Sequence, residues 1–240
     1  MSTMLRAENL CHRVATNEGP LTLLNDVSLQ LPRGQSLAIT GASGSGKSTL
    51  LGLLAGLEKP SEGRIWLADD EITAMDEEQR AAIRARRVGF VFQTFQLLPG
   101  LTAKENTMLP SELRGERNAS SRAEEFLARV GLDHRLHHYP RQLSGGEQQR
   151  VAIARAFASF SDRDGILFAD EPTGSLDAGN GDRVIDLLFK LNEESDATLV
   201  LVTHERRLAE RCQSHLQLAA GAVESVDRLS NDSNLSGMSI

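Results

Sequence analysis

Four short apolar runs alternate with helical patterns along the chain. They are Leu37–Thr40, Val88–Phe92, Ile166–Ala169 and Thr198–Thr203, each bounded by glycine, polar or charged residues. Continuous apolar runs of this length are typical of strands that are buried on both faces of a parallel sheet. Strands that alternate with helices form α/β folds. The pattern therefore predicts an α/β protein built on a parallel sheet.

The alternation stops between about residues 94 and 160. This region lacks a convincing strand pattern, whereas apolar residues recur at helical spacing over Arg122–Val130 and the pattern ends at Gly131. Glycine commonly terminates helices, so we predict a helical subdomain inserted into the α/β core. Beyond Val226 the chain is polar and without period. We predict a flexible tail over residues 225–240.

A glycine-rich segment joins the first apolar run to a helical pattern. It reads Gly41-Ala42-Ser43-Gly44-Ser45-Gly46-Lys47-Ser48, which fits the spacing G-x-x-x-x-G-K-[ST]. A strand pattern precedes it and Ser48–Leu57 predicts a helix, which is the context of a phosphate-binding loop. Its glycines let backbone N–H groups turn toward phosphates, Lys47 adds positive charge, and the Ser48 hydroxyl can bind Mg²⁺. The alternative is an incidental glycine-rich turn.

Two carboxylates end the third apolar run. Asp170 and Glu171 follow Ile166–Ala169 directly, and a buried charge is costly without a partner. In open α/β sheets ligands lie beyond the carboxyl ends of the strands, where Asp170 and the loop at Gly41 would meet. Asp170 is therefore predicted to hold Mg²⁺, directly or through water, and Glu171 to orient or deprotonate an attacking water. A solvated acidic turn before Pro172 is the alternative.

A second candidate anion site precedes the strong helical pattern of Val151–Phe157. Ser144 and Glu147 have the S-x-x-E spacing of a capping box at a helix start. Gly145 and Gly146 stand inside the first turn, where each glycine costs about 1 kcal/mol relative to alanine. Glycines there give a ligand room to approach the exposed N–H groups. The segment is thus either an ordinary helix cap or an anion site.

Composition restricts the functions that these motifs can serve. The 240 residues include 26 Lys+Arg and 33 Asp+Glu, a formal net charge of −7, so we expect no nucleic-acid partner. Cys11 and Cys212 match no metal-binding or disulfide spacing. The first nine residues lack the apolar run of a signal peptide, and the most apolar stretch, Leu50–Leu57, is too short to span a bilayer. We expect a cytoplasmic protein that reaches any membrane through a partner.

Three of these motifs, in this order, resemble an ATP-binding-cassette (ABC) ATPase. They are the loop at Gly41–Ser48, the segment Leu143–Gln148 and the Asp170-Glu171 strand end, with 26 residues from Ser144 to Asp170. The resemblance covers about residues 3–224. It implies one domain with a P-loop core on a parallel sheet, an N-terminal antiparallel β subdomain and the inserted helical subdomain. It also implies a Mg²⁺-dependent enzyme that hydrolyses ATP to ADP and phosphate.

The same resemblance implies that two chains form each complete site. In this family two cassettes bind head to tail, and each ATP lies between the phosphate loop of one and the Leu143–Gln148-type segment of the other. An ATP-dependent homodimer is therefore expected. The implied nucleotide contacts are Gly41, Ala42, Ser43, Gly44, Ser45, Gly46, Lys47, Ser48 and Thr49 in one chain and Ser144, Gly145, Gly146 and Glu147 in the other, with Asp177 coupling the two sites.

Further roles are implied for single residues at the strand ends. Gln93 would contact the metal, together with Ser48 and Asp170, and would also contact the attacking water. His204 would contact the γ-phosphate. The implied catalytic residues are thus Glu171, His204 and Gln93. Without the family resemblance, Gln93 and His204 are only polar residues at strand ends.

One position departs from the family pattern. Many cassettes stack an aromatic residue, often Tyr, on the adenine from a loop about 25 residues before the phosphate loop, and Val14 stands at that position. Base–aromatic stacking contributes about 1–3 kcal/mol in nucleic-acid systems. We therefore expect weaker or less selective binding of the base through Val14. His12 either compensates for the missing ring or is a surface residue.

Linker sequences are similar to one group of cassettes. The stretches Met75–Arg80, Val88–Pro99 and Asp170–Asp177 resemble the lipoprotein-release and macrolide-efflux branch, LolD- and MacB-like, with the YbbA-like ATPases nearest. The resemblance implies an integral membrane subunit of the FtsX/MacB-like type as partner. It also implies a place on the cytoplasmic face of the bacterial inner membrane. The implied work is export, lipoprotein release or mechanical transmission across the envelope.

Two groups of side chains bear on such a partner. Phe95, Leu97, Leu98 and Leu101 follow Gln93, and they either receive a partner helix or pack the helical subdomain onto the core. A basic cluster consists of Arg80, Arg84, Arg86 and Arg87. It predicts a solvated helix face or, alternatively, a contact with the anionic membrane surface.

Three other functions are compatible with parts of the sequence. A soluble, non-transport ABC ATPase is the main alternative, although such relatives usually hold two cassettes in one chain or a long coiled-coil insertion. A nucleotide kinase or GTPase would share only the phosphate loop, and the Ser144–Gln148 segment disfavours it. A binding-only regulatory module conflicts with the presence of both Glu171 and His204.

Overall fold

Ten strands and seven α-helices form the described part of the chain, which is residues 2–17, 19–160 and 164–228 of this computed structural model. The strands are β1 Thr3–Thr16, β2 Gly19–Pro32, β3 Ser36–Gly41, β4 Glu62–Leu67, β5 Asp70–Glu71, β6 Val88–Phe92, β7 Ile166–Asp170, β8 Thr198–Val202, β9 Ser214–Ala219 and β10 Ala222–Arg228. The helices are α1 Lys47–Leu54, α2 Glu77–Arg87, α3 Ala103–Leu113, α4 Ala119–Arg129, α5 Gly145–Ala158, α6 Ala178–Ser195 and α7 Arg206–Ala209. Two 3-10 turns, Asp133–Arg135 and Pro140–Gln142, precede α5.

The larger sheet confirms the predicted parallel architecture. Its strand order is β10-β9-β3-β8-β7-β6, in which the strands from β9 to β6 are parallel and β10 is antiparallel to β9. The four apolar runs predicted as strands are β3, β6, β7 and β8, with bounds that agree within one residue. Because β3, β8, β7 and β6 are parallel neighbours, the loops after their carboxyl ends lie side by side at one edge.

The larger sheet lies between two apolar cores. In β7, Leu167 and Ala169 face the core formed with α3 to α6, whereas Ile166 and Phe168 face the core formed with α1 and the smaller sheet. Alternate strand residues point to opposite faces, so β7 is apolar throughout because both of its faces are covered. The smaller sheet has the order β2-β1-β4-β5 and is antiparallel. It confirms the antiparallel β subdomain.

The region between residues 94 and 160 is helical, as predicted. It contains α3, α4, the two 3-10 turns and α5, and no strand. The start of α4 at Ala119 is earlier than predicted. The end of α1 at Leu54 comes before the predicted Leu57, since Gly56 adopts a positive φ of 70° and closes the helix. Within the described ranges, no helix is long and apolar enough to cross a bilayer.

The predicted tail begins too early in the sequence. Residues 225–228 belong to β10, where Ser225 pairs with Gln217 and Val226 with Leu216. Val226 is exposed, so the strand lacks an apolar pattern that would have revealed it. The strand is held by its antiparallel pairing with β9 and by Val223, which packs against the core. Residues 229–240 of the predicted tail lie outside the described residues.

The basic cluster on α2 is only partly a solvated face. Arg80 is buried, and its guanidinium donates to the Met75 carbonyl at 3.1 Å and pairs with Glu77. Arg84 pairs with the same carboxylate at 2.7 Å and donates to the Gly56 carbonyl at 2.6 Å. The Arg84 bond attaches α2 to the segment after α1. The prediction of a solvated face is wrong for Arg80, because a charged helix pattern does not show which side chain finds buried acceptors.

Candidate nucleotide site

Four neighbouring strand ends converge at one edge of the larger sheet. β3 leads into the glycine-rich loop and α1, β8 leads to His204, β7 ends at Asp170 with Glu171 next, and β6 leads to Gln93. The strand order places β8 between β3 and β7, so His204 follows the strand between the glycine-rich loop and the two carboxylates. Residues that the sequence predicted separately are thus brought together by the topology of the sheet.

The glycine-rich loop is closed by its own lysine. Lys47 begins α1, and its Nζ donates to the Gly41 carbonyl at 2.9 Å and to the Ala42 carbonyl at 2.8 Å. Gly46 has a φ of +99°, and a Cβ there would lie 2.9 Å from the Leu23 carbonyl of β2, so this position requires glycine. The loop therefore keeps an ammonium group beside backbone groups at a helix start, an arrangement that binds phosphate.

Asp170 presents an oxygen that is suited to a metal ion. Its Oδ1 is buried and has no hydrogen-bond partner among the described residues, and the Ser48 hydroxyl is close enough to the carboxylate to favour its ionised form. Burial raises the pKa of Asp170, and the Ser48 hydroxyl and the charge of Lys47 oppose this rise. A buried carboxylate oxygen without a partner is costly. A carboxylate and a hydroxyl are both oxygen ligands that Mg²⁺ accepts, so these residues fit that ion.

Glu171 and His204 form an ion pair beside Asp170. The His204 Nδ1 lies 2.9 Å from Glu171 Oε1 and 2.8 Å from Oε2. The Glu171 side chain is 18% exposed and that of His204 is 66% exposed, so the carboxylate is the more sheltered partner. Glu171 has a φ of +47°, which is uncommon for a residue other than glycine. Its N–H donates to the Val202 carbonyl at 2.9 Å, and this bond fixes the carboxylate at the end of β8.

The ion pair should shift the pKa of His204. The Glu171 carboxylate raises the pKa of His204 above its ordinary value. The pair is therefore complete below the ordinary pKa of histidine and is lost as the pH rises through the raised value. In Glu171→Gln, we expect the His204 pKa to fall, as measured by NMR titration of the imidazole, with His204→Gln used to assign the signal. An unchanged His204 pKa would show that the pair does not form in solution.

Gln93 lies against the loop that follows β7. A Cβ at Gly174 would lie 2.5 Å from Gln93 Nε2, so the two residues are in direct contact. Shortly after Gln93, Phe95 and Gln96 have positive φ values of 59° and 49°. Arg155 of α5 donates to the carbonyls of these two residues at 3.0 and 2.7 Å. Thus α5 holds the segment after Gln93 in a conformation that side chains disfavour.

The start of α5 forms the predicted capping box. Ser144 Oγ accepts a bond from the Glu147 N–H at 3.3 Å, and Glu147 Oε2 accepts a bond from the Ser144 N–H at 2.8 Å. The latter bond holds the pKa of Glu147 below its usual range. Ser144, Gly146 and Glu147 line a cavity of about 310 Å³ with residues of α4 and α6. Among its described lining residues, none belongs to Gly41–Ser48.

The sequence of the chain matches a known protein family. The sequence profile of the family described as ABC transporter matches residues 24–174, from β2 to the loop after β7. The chain belongs to this family of ATPases. The match includes the phosphate loop, Gln93, the start of α5 and both carboxylates, whereas His204 lies beyond the matched range. The predicted ABC ATPase family is confirmed.

Curated relatives place the cassette in the predicted branch. It is 50% identical over 223 residues to the uncharacterized ABC transporter ATP-binding protein YbbA of Escherichia coli K12, covering 92% of this chain and 96% of that protein. It is 43% identical over 212 residues to the lipoprotein-releasing system ATP-binding protein LolD of Idiomarina loihiensis, covering 88% and 92%. It is 39% identical over 222 residues to the macrolide export ATP-binding/permease protein MacB of Bartonella henselae, covering 92% of this chain but only 33% of MacB.

A solved structure agrees with the fold of the cassette. The dimeric post-hydrolysis structure of the ATP-binding cassette MJ0796, bound to ADP and Pi, superposes with a TM-score of 0.86 at 38% identity, covering 95% of this chain and 100% of that chain. The predicted fold class, a P-loop core with an antiparallel β subdomain and a helical insertion, is therefore confirmed.

Two predicted contacts of the cassette lie outside the cluster of strand ends. Asp177 caps α6 by accepting bonds from the Asn180 N–H at 3.1 Å and the Asn180 Nδ2 at 2.7 Å. Val14 is half-buried in β1 and pairs with Leu21 of β2. The interpretation of His12 as a surface residue is wrong, because its side chain is only 12% exposed and lies 3.6 Å from Glu58.

Sequence reasoning missed two polar side chains of α5. Gln149 is fully buried and donates to the Pro172 carbonyl at 2.7 Å, directly after the catalytic candidate Glu171. Arg155 holds the segment after Gln93, as described above. In the sequence, both are polar residues within a helical pattern, and such positions are normally predicted to face solvent. The available signal was their place on the one helix that begins at the second anion site.

Proposed function

We propose that this cassette hydrolyses Mg²⁺–ATP in a head-to-tail homodimer. Each ATP would lie between the Lys47 loop of one chain and the Ser144 helix start of a second copy. The observation that carries this proposal is the dimeric structure of the related MJ0796 with ADP and Pi, which supports a two-chain site. In this chain, the cavity at the Ser144 helix start is lined by residues around α4, α5 and α6.

Residues around the phosphate loop would bind the nucleotide and its metal. Lys47 would exchange its bonds to the Gly41 and Ala42 carbonyls for bonds to the terminal phosphates. Ser48, Asp170 and Gln93 would hold Mg²⁺, of which Asp170 already has a buried oxygen without a partner among the described residues. When bound, Mg²⁺ neutralises the charge that develops on the phosphate oxygens. The loop from Gly41 to Thr49 would supply the backbone donors.

Glu171 and His204 would act on the reaction itself. The Glu171 carboxylate would orient the attacking water and accept its proton as the water oxygen bonds to the γ-phosphorus. The bond from that phosphorus to the bridging oxygen then breaks, and ADP leaves with the electron pair. His204 would turn its imidazole from Glu171 toward the γ-phosphate, whose negative charge favours the protonated imidazole. A cation there would stabilise the charge of the transferring group.

We further propose that the cassette drives a separate membrane subunit of the FtsX/MacB-like type. The chain matches one third of MacB, whose name combines an ATP-binding part with a permease, and the remaining part of that protein has no counterpart in this match. LolD is named as the ATP-binding protein of a lipoprotein-releasing system. Export, lipoprotein release or mechanical transmission at the cytoplasmic face of the inner membrane is the work that we assign to the complex.

A groove beside Gln93 is the surface that we assign to this subunit. It has a volume of about 250 Å³ and is lined by Phe90, Phe92, Gln96, Pro110 and Arg155, among others. Leu98, two residues after the lining residue Gln96, is 46% exposed, whereas Leu97 packs against the core. Part of the predicted apolar cluster therefore closes the core, and part of it remains on the surface. A partner helix seated here would contact the segment that Arg155 holds.

Affinity purification tests the membrane partner. The tagged chain, extracted with solubilised membranes of its own cells, should recover an integral membrane protein with few membrane spans and a large extracytoplasmic domain. Leu98→Glu should abolish recovery because it places a charge in an apolar contact. Leu57→Glu is the matched control, since Leu57 is 44% exposed, follows α1 and is not a lining residue of the groove. Equal recovery with both variants would exclude the groove, and recovery of no membrane protein would exclude the subunit.

A further inference from the structure

Gln149 connects three functional elements through one buried side chain. It lies in the second turn of α5, five residues after Ser144, and is fully buried. Its Nε2 donates to the Pro172 carbonyl at 2.7 Å and reaches the Phe92 carbonyl at 3.5 Å. Pro172 follows Glu171, and Phe92 precedes Gln93. A single amide thus ties the helix to the loops that carry both candidate catalytic residues.

The orientation of this amide is determined by its partners. Carbonyl oxygens only accept hydrogen bonds, so the amide nitrogen must face both loops. The Gln149 Oε1 is consequently directed elsewhere, and it is buried without a partner among the described residues. An unsatisfied buried oxygen destabilises a fold, and methionine would fill the same space without it. The unpaired amide oxygen of Gln149 is therefore a cost in stability that accompanies the bonds from its nitrogen to the loops after β6 and β7.

A second contact connects α5 to the same region. Arg155 donates to the Phe95 and Gln96 carbonyls at 3.0 and 2.7 Å, and both of these residues have positive φ. Since an α-helix is rigid over two turns, Ser144 and Gln149 move together, roughly 7.5 Å apart along the axis. Any displacement of the helix start is therefore passed to the loops after β6 and β7. The helix offers one mechanical route between the two anion sites of a chain.

We propose that Gln149 is a positioning residue that couples the two ATP sites of the dimer. The proposal rests on the two-chain function proposed above. In that dimer, the Ser144 helix start of a chain contacts ATP held by the second copy, while its Glu171 and Gln93 act on its own ATP. Gln149 joins these two sets of residues within one chain. Closure of one site thereby sets the geometry of Glu171 and Gln93 in the other.

Gln149→Met tests this coupling, because it preserves volume and removes the donor. We expect kcat to fall by about tenfold or more and the Hill coefficient for ATP to fall to about one. The affinity of the isolated chain for ATP should stay within about twofold, because Lys47 and its loop are untouched. The Tm should fall modestly, because the buried Pro172 carbonyl loses its donor although the unpaired amide oxygen is also gone. A residue with a purely structural role would lower the Tm and leave the Hill coefficient as it is.

Asn192→Leu is the matched control for this variant. Asn192 is a buried amide of α6 whose Oδ1 also has no partner among the described residues. Its replacement should change the Tm to a similar extent and leave kcat and the Hill coefficient at wild-type values. Retention of cooperativity by Gln149→Met, or a wild-type Hill coefficient of about one, would overturn the coupling role. If Ser144→Arg also kept full turnover, the proposed two-chain function itself would be wrong. This result distinguishes failure of the two-chain function from failure of the coupling role alone.

Discussion

Replacing Glu171 with Gln should leave ATP bound and nearly stop its hydrolysis. Gln keeps the volume of the side chain and tolerates the same backbone, but its amide cannot accept a proton from water. General-base catalysis contributes about 10²–10⁴-fold, so we expect kcat to fall by about a hundredfold or more. Because ATP is then not consumed, the two-chain complex should accumulate. Steady-state phosphate release and light scattering with Mg²⁺–ATP measure the two effects.

Glu205→Gln is the control for the loss of a carboxylate at this edge. Glu205 follows His204 directly, and its Oε1 accepts a bond from Thr173 Oγ1 at 2.9 Å instead of facing His204. We expect this variant to hydrolyse ATP at the wild-type rate. If Glu171→Gln also hydrolysed ATP undiminished, Glu171 would not activate the water. A hydrolysis-dead protein that stays monomeric with ATP and its membrane subunit would contradict the head-to-tail dimer.

Local patterns predict the phosphate loop because every part of it is adjacent in the chain. The strand β3, the glycines and the start of α1 follow one another between Ser36 and Leu54. Glycine content and apolar runs determine each part without distant contacts. The position of His204 is different, since it depends on β8 lying between β3 and β7. Strand order arises from long-range pairing, and only the family resemblance supplied it.

The last two strands show where the pattern was readable and where it was not. In β9, buried Leu216 and Leu218 alternate with exposed Gln217 and Ala219, which is the period of a strand with one covered face. The alternation in the sequence is therefore sufficient to predict β9. β10 offers no such alternation, because the exposed Val226 stands where a polar residue would be expected. Edge pairing of this kind depends on the neighbouring strand more than on its own side chains.

Buried polar side chains were the least predictable part of the site. Gln149 and Arg80 are both buried on helices whose patterns suggest polar, solvated positions. Each finds backbone carbonyl acceptors from a distant or neighbouring segment, Pro172 for Gln149 and Met75 for Arg80. Hydrophobic periodicity treats polarity as exposure, so it cannot identify polar groups that are paired inside the fold. These are the residues for which the structure adds most to the interpretation of function.

Ser144→Arg should abolish hydrolysis while sparing the binding of ATP to the isolated chain. Lys47, Ser48 and Asp170 are unaffected by a change at the start of α5, so the affinity of one chain for ATP should stay at its wild-type value. In the dimer, however, the arginine would occupy the space beside the N–H groups of Gly145 and Gly146 at the start of α5. Loss of donors at a transferring phosphate costs about 10²–10³ in kcat, and exclusion of the second chain should cost at least as much. Nucleotide titration and phosphate release measure the two effects separately.

The change also removes a helix cap, and this contribution must be separated from the steric one. Loss of the Ser144 hydroxyl breaks its bond to the Glu147 N–H, which costs about 0.5–2 kcal/mol of stability. Ser144→Ala loses the same bond without adding bulk, so its Tm should match that of Ser144→Arg while it retains far more activity. In a Glu171→Gln background, only the arginine variant should remain monomeric with ATP. Dimerisation and turnover that survive the arginine would mean that residues of one chain complete the site around the γ-phosphate. The second anion site would then have no role in catalysis.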